Sequence, residues 1–179
     1  MNNNKKEIPQ DEIIEFEGEM PRTIYTIGTE KTTIEQFMNA MMYYKIHCII
    51  DIRQDPNNNT EQQYNTENLK NLLKRYKIHY RRYPALIENH IQTHTDEYKE
   101  TIKKIEAAIQ KGYTFCILGG KKSPKQCQRC TILGEHFHHN NYRVIHLYPK
   151  LGENTTKPYE PKELWKYYIY HEETIKTKK

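Results

Sequence analysis

No run of 18 apolar residues occurs in this 179-residue chain, so no membrane-spanning helix is expected. The opening residues, MNNNKKEIPQDEIIEFEGE, lack the apolar core of a signal peptide. The expected compartment is therefore cytoplasmic, with no membrane partner. Cysteine is scarce. Cys48, Cys116, Cys127 and Cys130 are the only four, which in a chain without a secretory signal argues for free thiols rather than a disulfide framework. Two standard phosphate cradles are missing as well: the Gly-x4-Gly-Lys-Ser/Thr loop of P-loop proteins and the Cys-x5-Arg loop of phosphatases. No internal repeat is visible, and the asparagine-rich stretches are too short for a low-complexity domain. Hydrophobic residues make up only 36%, lean but enough for one domain with a modest core.

Charge is present but unevenly placed. Residues 1–20 hold six acids and two lysines, a balance of −4, so the remainder carries +9 of the net +5. The expectation is an acidic flexible leader over 1–20, a basic α/β domain over 21–150, and a C-terminal amphipathic helix and tail over 151–179. In that last segment, Pro161 starts a predicted helix with Leu164, Trp165, Tyr168 and Ile169 on one stripe. The stripe suits docking on the domain's flank or, through residues 161–170, a protein partner.

Within the body, strand and helix patterns alternate. Thr23–Ile27 reads as a strand closing in Gly28, followed by a helix capped by Thr32 through Glu35. His47–Ile52 is an isoleucine-rich run of the kind buried in parallel sheets. A helix from about Asn65 to Tyr76 follows, then a short strand near Ile78–Tyr83. The spacing of Tyr98, Ile102, Ile105 and Ile109 marks a third helix, before the strands Tyr113–Leu118 and Tyr142–Tyr148. This repetition predicts an α/β fold: a mostly parallel β-sheet flanked by helices on both faces, a Rossmann-like three-layer sandwich. In such sheets ligands bind beyond the strand carboxyl ends, where the loops Gly28–Thr32, Asp51–Pro56 and Gly119–Ser123 fall.

The segment YTFCILGGKKSPKQCQRC, Tyr113–Cys130, is the most informative. It reads as a strand, a turn and a helix, with Ser123 as N-cap, Pro124 at the first helical position and Gln126 completing a capping box. A helix opening beside a strand's carboxyl end would present free N–H groups and partial positive charge to an anion. Candidate anion-binding residues are Gly28, Thr29, Arg53, Gly120, Lys121, Lys122, Ser123 and Arg129. Cys127, with Arg129 and Lys125 nearby, meets the conditions that lower a thiol pKa, which makes it a candidate nucleophile; packing against the sheet is the bland alternative. Asp51 is the other catalytic candidate, as a general base or a ribose-hydroxyl acceptor, against the even alternative of an ion pair with Arg53. Cys127 and His138 on one helix would lie about 16 Å apart at 1.5 Å per residue, too far to share a zinc ion. No metal and no cofactor is expected.

A second basic cluster, LKRYKIHYRRY, places Arg75, Tyr80, Arg81 and Arg82 where arginine could follow a phosphate backbone and tyrosine stack on bases. The alternative is a solvated face.

The order IGTEKTTIEQF, DIRQDP, QYNTENLKNLL, HYRRYPAL and then the strand with its Cys-x-Arg helix resembles the domain of unknown function 488 family. The resemblance spans about residues 23 to 148 and matches that pattern at Gly28, Asp51, Arg53, Pro56, Asn65, Cys127 and Arg129. It departs at Thr29, Glu30, Gly119, Lys121 and Gln128, where the family has His, Ser, Cys, Glu and His. The resemblance implies the same α/β fold and, from the departures, a lost or altered activity. Three readings stay open: an enzyme on a nucleotide or other phosphorylated small molecule, a nucleic-acid-binding module, and a non-catalytic ligand- or protein-binding descendant.

Overall fold

Alternating side-chain direction along the strands is what divides this molecule into layers. The computed structural model describes residues 22–58, 60–149 and 165–169; the acidic leader lies outside them. The strands are β1 (Thr23–Gly28), β2 (Cys48–Asp51), β3 (His79–Arg81), β4 (Phe115–Gly119), β5 (Arg143–Pro149) and β6 (Trp165–Ile169). They form one six-stranded sheet in the order β3-β2-β4-β1-β5-β6, parallel throughout except for the antiparallel edge strand β6. The α/β architecture with helices on both faces is the one the sequence pattern predicts.

Successive strand side chains point to opposite faces. Ile27, Ile49, Cys116 and Leu118 therefore share one core with Phe37 and Met41 of α1 (Ile34–Tyr43) and Leu69 and Leu73 of α2 (Thr66–Arg75). Ile24, Ile50, Ile117 and Val144 share the other with Tyr98, Ile102, Ile105 and Ile109 of α3 (Asp96–Gln110) and Phe137 of α4 (Glu135–His139). The four α3 residues are those picked out by helical spacing, and all are buried. Each fully buried isoleucine or leucine side chain contributes about 1.5–3 kcal/mol relative to exposure.

Three local expectations are corrected. The α1 cap is Thr33, not Thr32: Thr33 Oγ1 accepts the Gln36 N–H at 3.1 Å, and Gln36 Oε1 accepts the Thr33 N–H at 2.9 Å. Thr32 is buried instead, and its carbonyl accepts the Tyr64 hydroxyl at 2.8 Å. The segment after β4 is no simple helix. Pro124–Gln126 makes one 3₁₀ turn without a side-chain cap from Ser123, Cys127 is extended, and Arg129–Gly134 is π-helical before α4 begins. Finally, Trp165–Ile169 is a strand, not part of an amphipathic helix; it extends the sheet beyond β5, while the rest of 151–179 lies outside the described residues. Among the described residues, no helix is long and apolar enough to cross a membrane.

The topology fixes where a ligand can enter. The connections after β1 and β2 run through α1 and α2 on one face, and those after β3 and β4 run through α3 and α4 on the other. Because β4 lies between β2 and β1, neighbouring strands send their chains to opposite faces, opening a crevice at their carboxyl ends.

Candidate ligand cleft at the strand carboxyl ends

The loop after β1 and the loop after β4 are tied together by backbone hydrogen bonds. Thr29 N–H donates to the Gly119 carbonyl at 3.0 Å, and Glu30 N–H to the Gly120 carbonyl at 2.9 Å. Gly28 is required here, because a β-carbon would overlap the Lys121 carbonyl and crowd the Arg129 guanidinium. Lys122 N–H donates to Glu30 Oε2 at 2.9 Å, so this chain's own carboxylate takes the place where an anion was expected to meet a helix terminus. With Ser123 uncapped and the following turn broken at Cys127, the expected helix-terminus pocket at Ser123–Lys125 does not form.

Arg129 is buried beneath these loops. It fits between Gly28 and Gly119, with Nη2 donating to the Lys122 carbonyl at 3.1 Å. Its Nε and Nη1 have no hydrogen-bond partner, and no carboxylate pairs with it among the described residues. Cys127 packs alongside, against the space a Gly119 side chain would fill, and is itself buried. Burial pushes the Cys127 thiol up, with Arg129 pulling it only part of the way back. The expected lowered thiol pKa is thus corrected: desolvation outweighs the neighbouring charge. On the same face, His146 of β5 meets Thr26 of β1, Nδ1 to Oγ1 at 2.6 Å, in a parallel pairing that brings the two into register. Burial, reinforced by Arg129, lowers His146 to about 3.

The opposite face holds a second buried arginine in a different setting. Asp51, fully buried, accepts Arg53 Nε at 2.9 Å, Arg53 Nη2 at 2.7 Å, the Arg53 backbone N–H at 3.0 Å and the Tyr80 hydroxyl at 2.6 Å. Arg82 adds a more distant charge, 3.9 Å from Oδ1, and donates to the Arg53 carbonyl. Burial and the adjacent Asp51 both raise the Tyr80 pKa. Asp51 therefore holds the loop as an ion pair. Its lone pairs are committed, and the carboxylate does not line the cleft. Arg53 also donates from Nη2 to the Tyr64 carbonyl at 2.9 Å, leaving Nη1 shielded from solvent and without a partner among the described residues.

Between the loops lies a cleft of about 500 Å³. Its walls come from Thr29–Lys31 after β1, from Arg53–Asp55 and Tyr64 after β2, and from Gly120 and Lys121 after β4. The three strand-end loops thus converge as expected. Of the anion-binding candidates, Thr29, Arg53, Gly120 and Lys121 line the cleft; Gly28, Lys122, Ser123 and Arg129 do not. The cleft also carries acids that sequence reasoning passed over. Glu30 and Glu88 are engaged by the backbone N–H groups of Lys122 and Gln128; Glu30, Asp55 and Glu61 are exposed and Glu88 is half-buried.

The proposed nucleic-acid face divides in two. Arg75 and Arg81 are exposed, but Tyr80 and Arg82 are drawn into the Asp51 network, and Lys70 lies 5.6 Å over the Tyr80 ring. His90, His94 and His139 are exposed, whereas His136 is half-buried against Tyr98 and 3.4 Å from Glu106.

No protein-family model, curated protein or solved structure matches this chain.

Proposed function

We propose that this chain binds a small phosphate-bearing anion in the cleft at the carboxyl ends of β1, β2 and β4. The observation that carries this reading is Arg53: a buried guanidinium in the cleft wall, already anchored by Asp51 and Tyr64, with one nitrogen left unpartnered. An unmatched buried donor costs about 1–3 kcal/mol, more for a charged group, which favours a small side-chain shift that turns Nη1 toward an oxyanion in the cleft. Lys31 and Lys121 stand on the same walls with no ion pair among the described residues. Neither Cys127 nor Asp51 lines the cleft, so binding rather than nucleophilic or general-base catalysis by these two is the reading supported. Kinship with the domain of unknown function 488 family belongs to the same proposal. In support, the matching positions Gly28, Asp51, Arg53, Cys127 and Arg129 gather at one end of the sheet. With Tyr80 and Arg82 held by Asp51, no nucleic-acid reading is carried further.

Calorimetric titration with inorganic phosphate at low ionic strength tests the proposal. Saturable binding is expected, weakened by about tenfold in Lys121→Ala, equivalent to about 1.4 kcal/mol, and weakened again by added salt. Absence of saturable binding to phosphate and sulfate alike would overturn it.

A further inference from the structure

The walls of the cleft say what kind of molecule surrounds that phosphate. Ligand pockets are lined mainly by apolar and aromatic side chains, and a nucleobase in particular draws about 1–3 kcal/mol from each aromatic ring it stacks on. This cleft offers no exposed aromatic ring among the described residues. Apart from Gly120 and Tyr64, every described residue lining it ends in a hydroxyl, an amide, a carboxylate or a cation. Tyr64 is no platform either: its ring is buried edge-on against Phe37, and its hydroxyl donates to the Thr32 and Thr33 carbonyls. Gly120 adds open space, since a β-carbon there would meet nothing within 4 Å.

Both signs of charge line the cleft. Arg53, Lys31 and Lys121 supply the positive groups, while Asp55 and Glu61, with Asn58 and Thr60 between them, form an acidic and amide-rich rim on the loop after β2. Glu30, also exposed, accepts the Lys122 N–H and the half-buried Glu88 accepts the Gln128 N–H, while Asp55 and Glu61 are exposed carboxylates with no ion pair among the described residues. Carboxylates repel a bare phosphate but accept hydrogen bonds from hydroxyl groups.

Resting on the anion-binding reading above, we infer that the ligand is a phosphate monoester of a polyol, a sugar phosphate, whose phosphate meets Arg53 and the lysines and whose hydroxyls meet Asp55, Asn58, Thr60 and Glu61. A nucleotide is disfavoured because its base has no wall to lie on.

Calorimetry with inorganic phosphate, ribose 5-phosphate, glucose 6-phosphate and adenosine monophosphate tests the assignment, with the double variant Asp55→Ala, Glu61→Ala alongside the intact chain. At least one sugar phosphate is expected to bind about tenfold more tightly than inorganic phosphate. In the double variant that advantage shrinks severalfold, while inorganic phosphate binds at least as well because two repelling charges are gone. Equal affinity for sugar phosphates and inorganic phosphate would overturn the sugar assignment and leave the anion reading standing. Tighter binding of adenosine monophosphate than of ribose 5-phosphate would overturn it too, by showing that the base contributes. Binding of none of the four would remove the anion reading itself. Retention of the full sugar-phosphate advantage in the double variant would overturn the role given to the acidic rim.

Discussion

Two arginines are buried at the same end of one sheet, and their surroundings have little in common. Arg53 lies against Asp51 with two side-chain hydrogen bonds, and Tyr80 and Arg82 complete that network. Arg129, on the other face, has the Lys122 carbonyl and a buried thiol beside it, and no carboxylate among the described residues. The first arrangement exchanges hydration for a matched charge; the second keeps a charge in the interior largely on steric fit between two glycines. Removing one partner from a buried pair is therefore expected to hurt far more than removing the lone cation.

The largest effect is expected from Asp51→Ala, which leaves Arg53 and Arg82 facing each other without compensation and lowers stability by about 3–5 kcal/mol in urea unfolding. A loss below about 1 kcal/mol would mean that the two corners are energetically alike. Next is His146, on the uncompensated face. It stays neutral in the folded chain to about pH 3 but protonates near 6.5 when unfolded. Between those values the unfolded state holds the extra proton. Its contribution is thus complete above about pH 6.5 and falls by about 1.4 kcal/mol per pH unit as the solution is acidified toward 3. Denaturation midpoints of wild type and His146→Gln measured against pH should diverge in slope across that window; parallel curves would place His146 in a polar setting.

Smaller effects sharpen the steric half of the comparison. Gly28→Ala forces a β-carbon into the Lys121 carbonyl and is expected to destabilise by about 1–3 kcal/mol, while Gly120→Ala, facing open space, leaves the melting temperature unchanged. Equal behaviour of the two would mean that the loop over Arg129 yields freely. A similarly small change is expected from Arg129→Met, which keeps most of the volume and drops the unpaired charge. Stability within about 1 kcal/mol of wild type, or above it, is the expected outcome. A loss as large as that of Asp51→Ala would reveal a counter-charge for Arg129.

Much of this molecule is written in its periodicities. β2 and β4 follow from apolar runs buried throughout, and α3 from four residues at helical spacing, because those patterns are local; β3, His79–Arg81, carries no such run. The convergence of three loops was legible for the same reason: strand ends in an α/β sheet share one rim. Long-range partners were not. Nothing near Thr26 announces His146, 120 residues away, and nothing near Asp51 announces Tyr80. The Ser123–Gln126 capping box was locally sound, yet the Lys121 carbonyl seated on Gly28 and the backbone bonds to the β1 loop set a different path. In WKYYI, aromatic and β-branched residues fit either a helical stripe or an edge strand, and pairing with β5 decided for the strand.

The position of β1 carries a consequence for how the chain reaches this fold. β1 is the first strand among the described residues, yet it lies inside the sheet, and its two partners, β4 and β5, begin at Phe115 and Arg143. A chain emerging from the ribosome can pair β2 with β3 early, but β1 stays without either neighbour until most of the polypeptide has been made. The centre of the sheet thus closes late, through contacts distant in sequence that carry a large loop-closure entropy and slow folding. A fragment ending before Phe115 would hold the loop of β1, with Thr29 and Lys31, and none of the architecture that aims it.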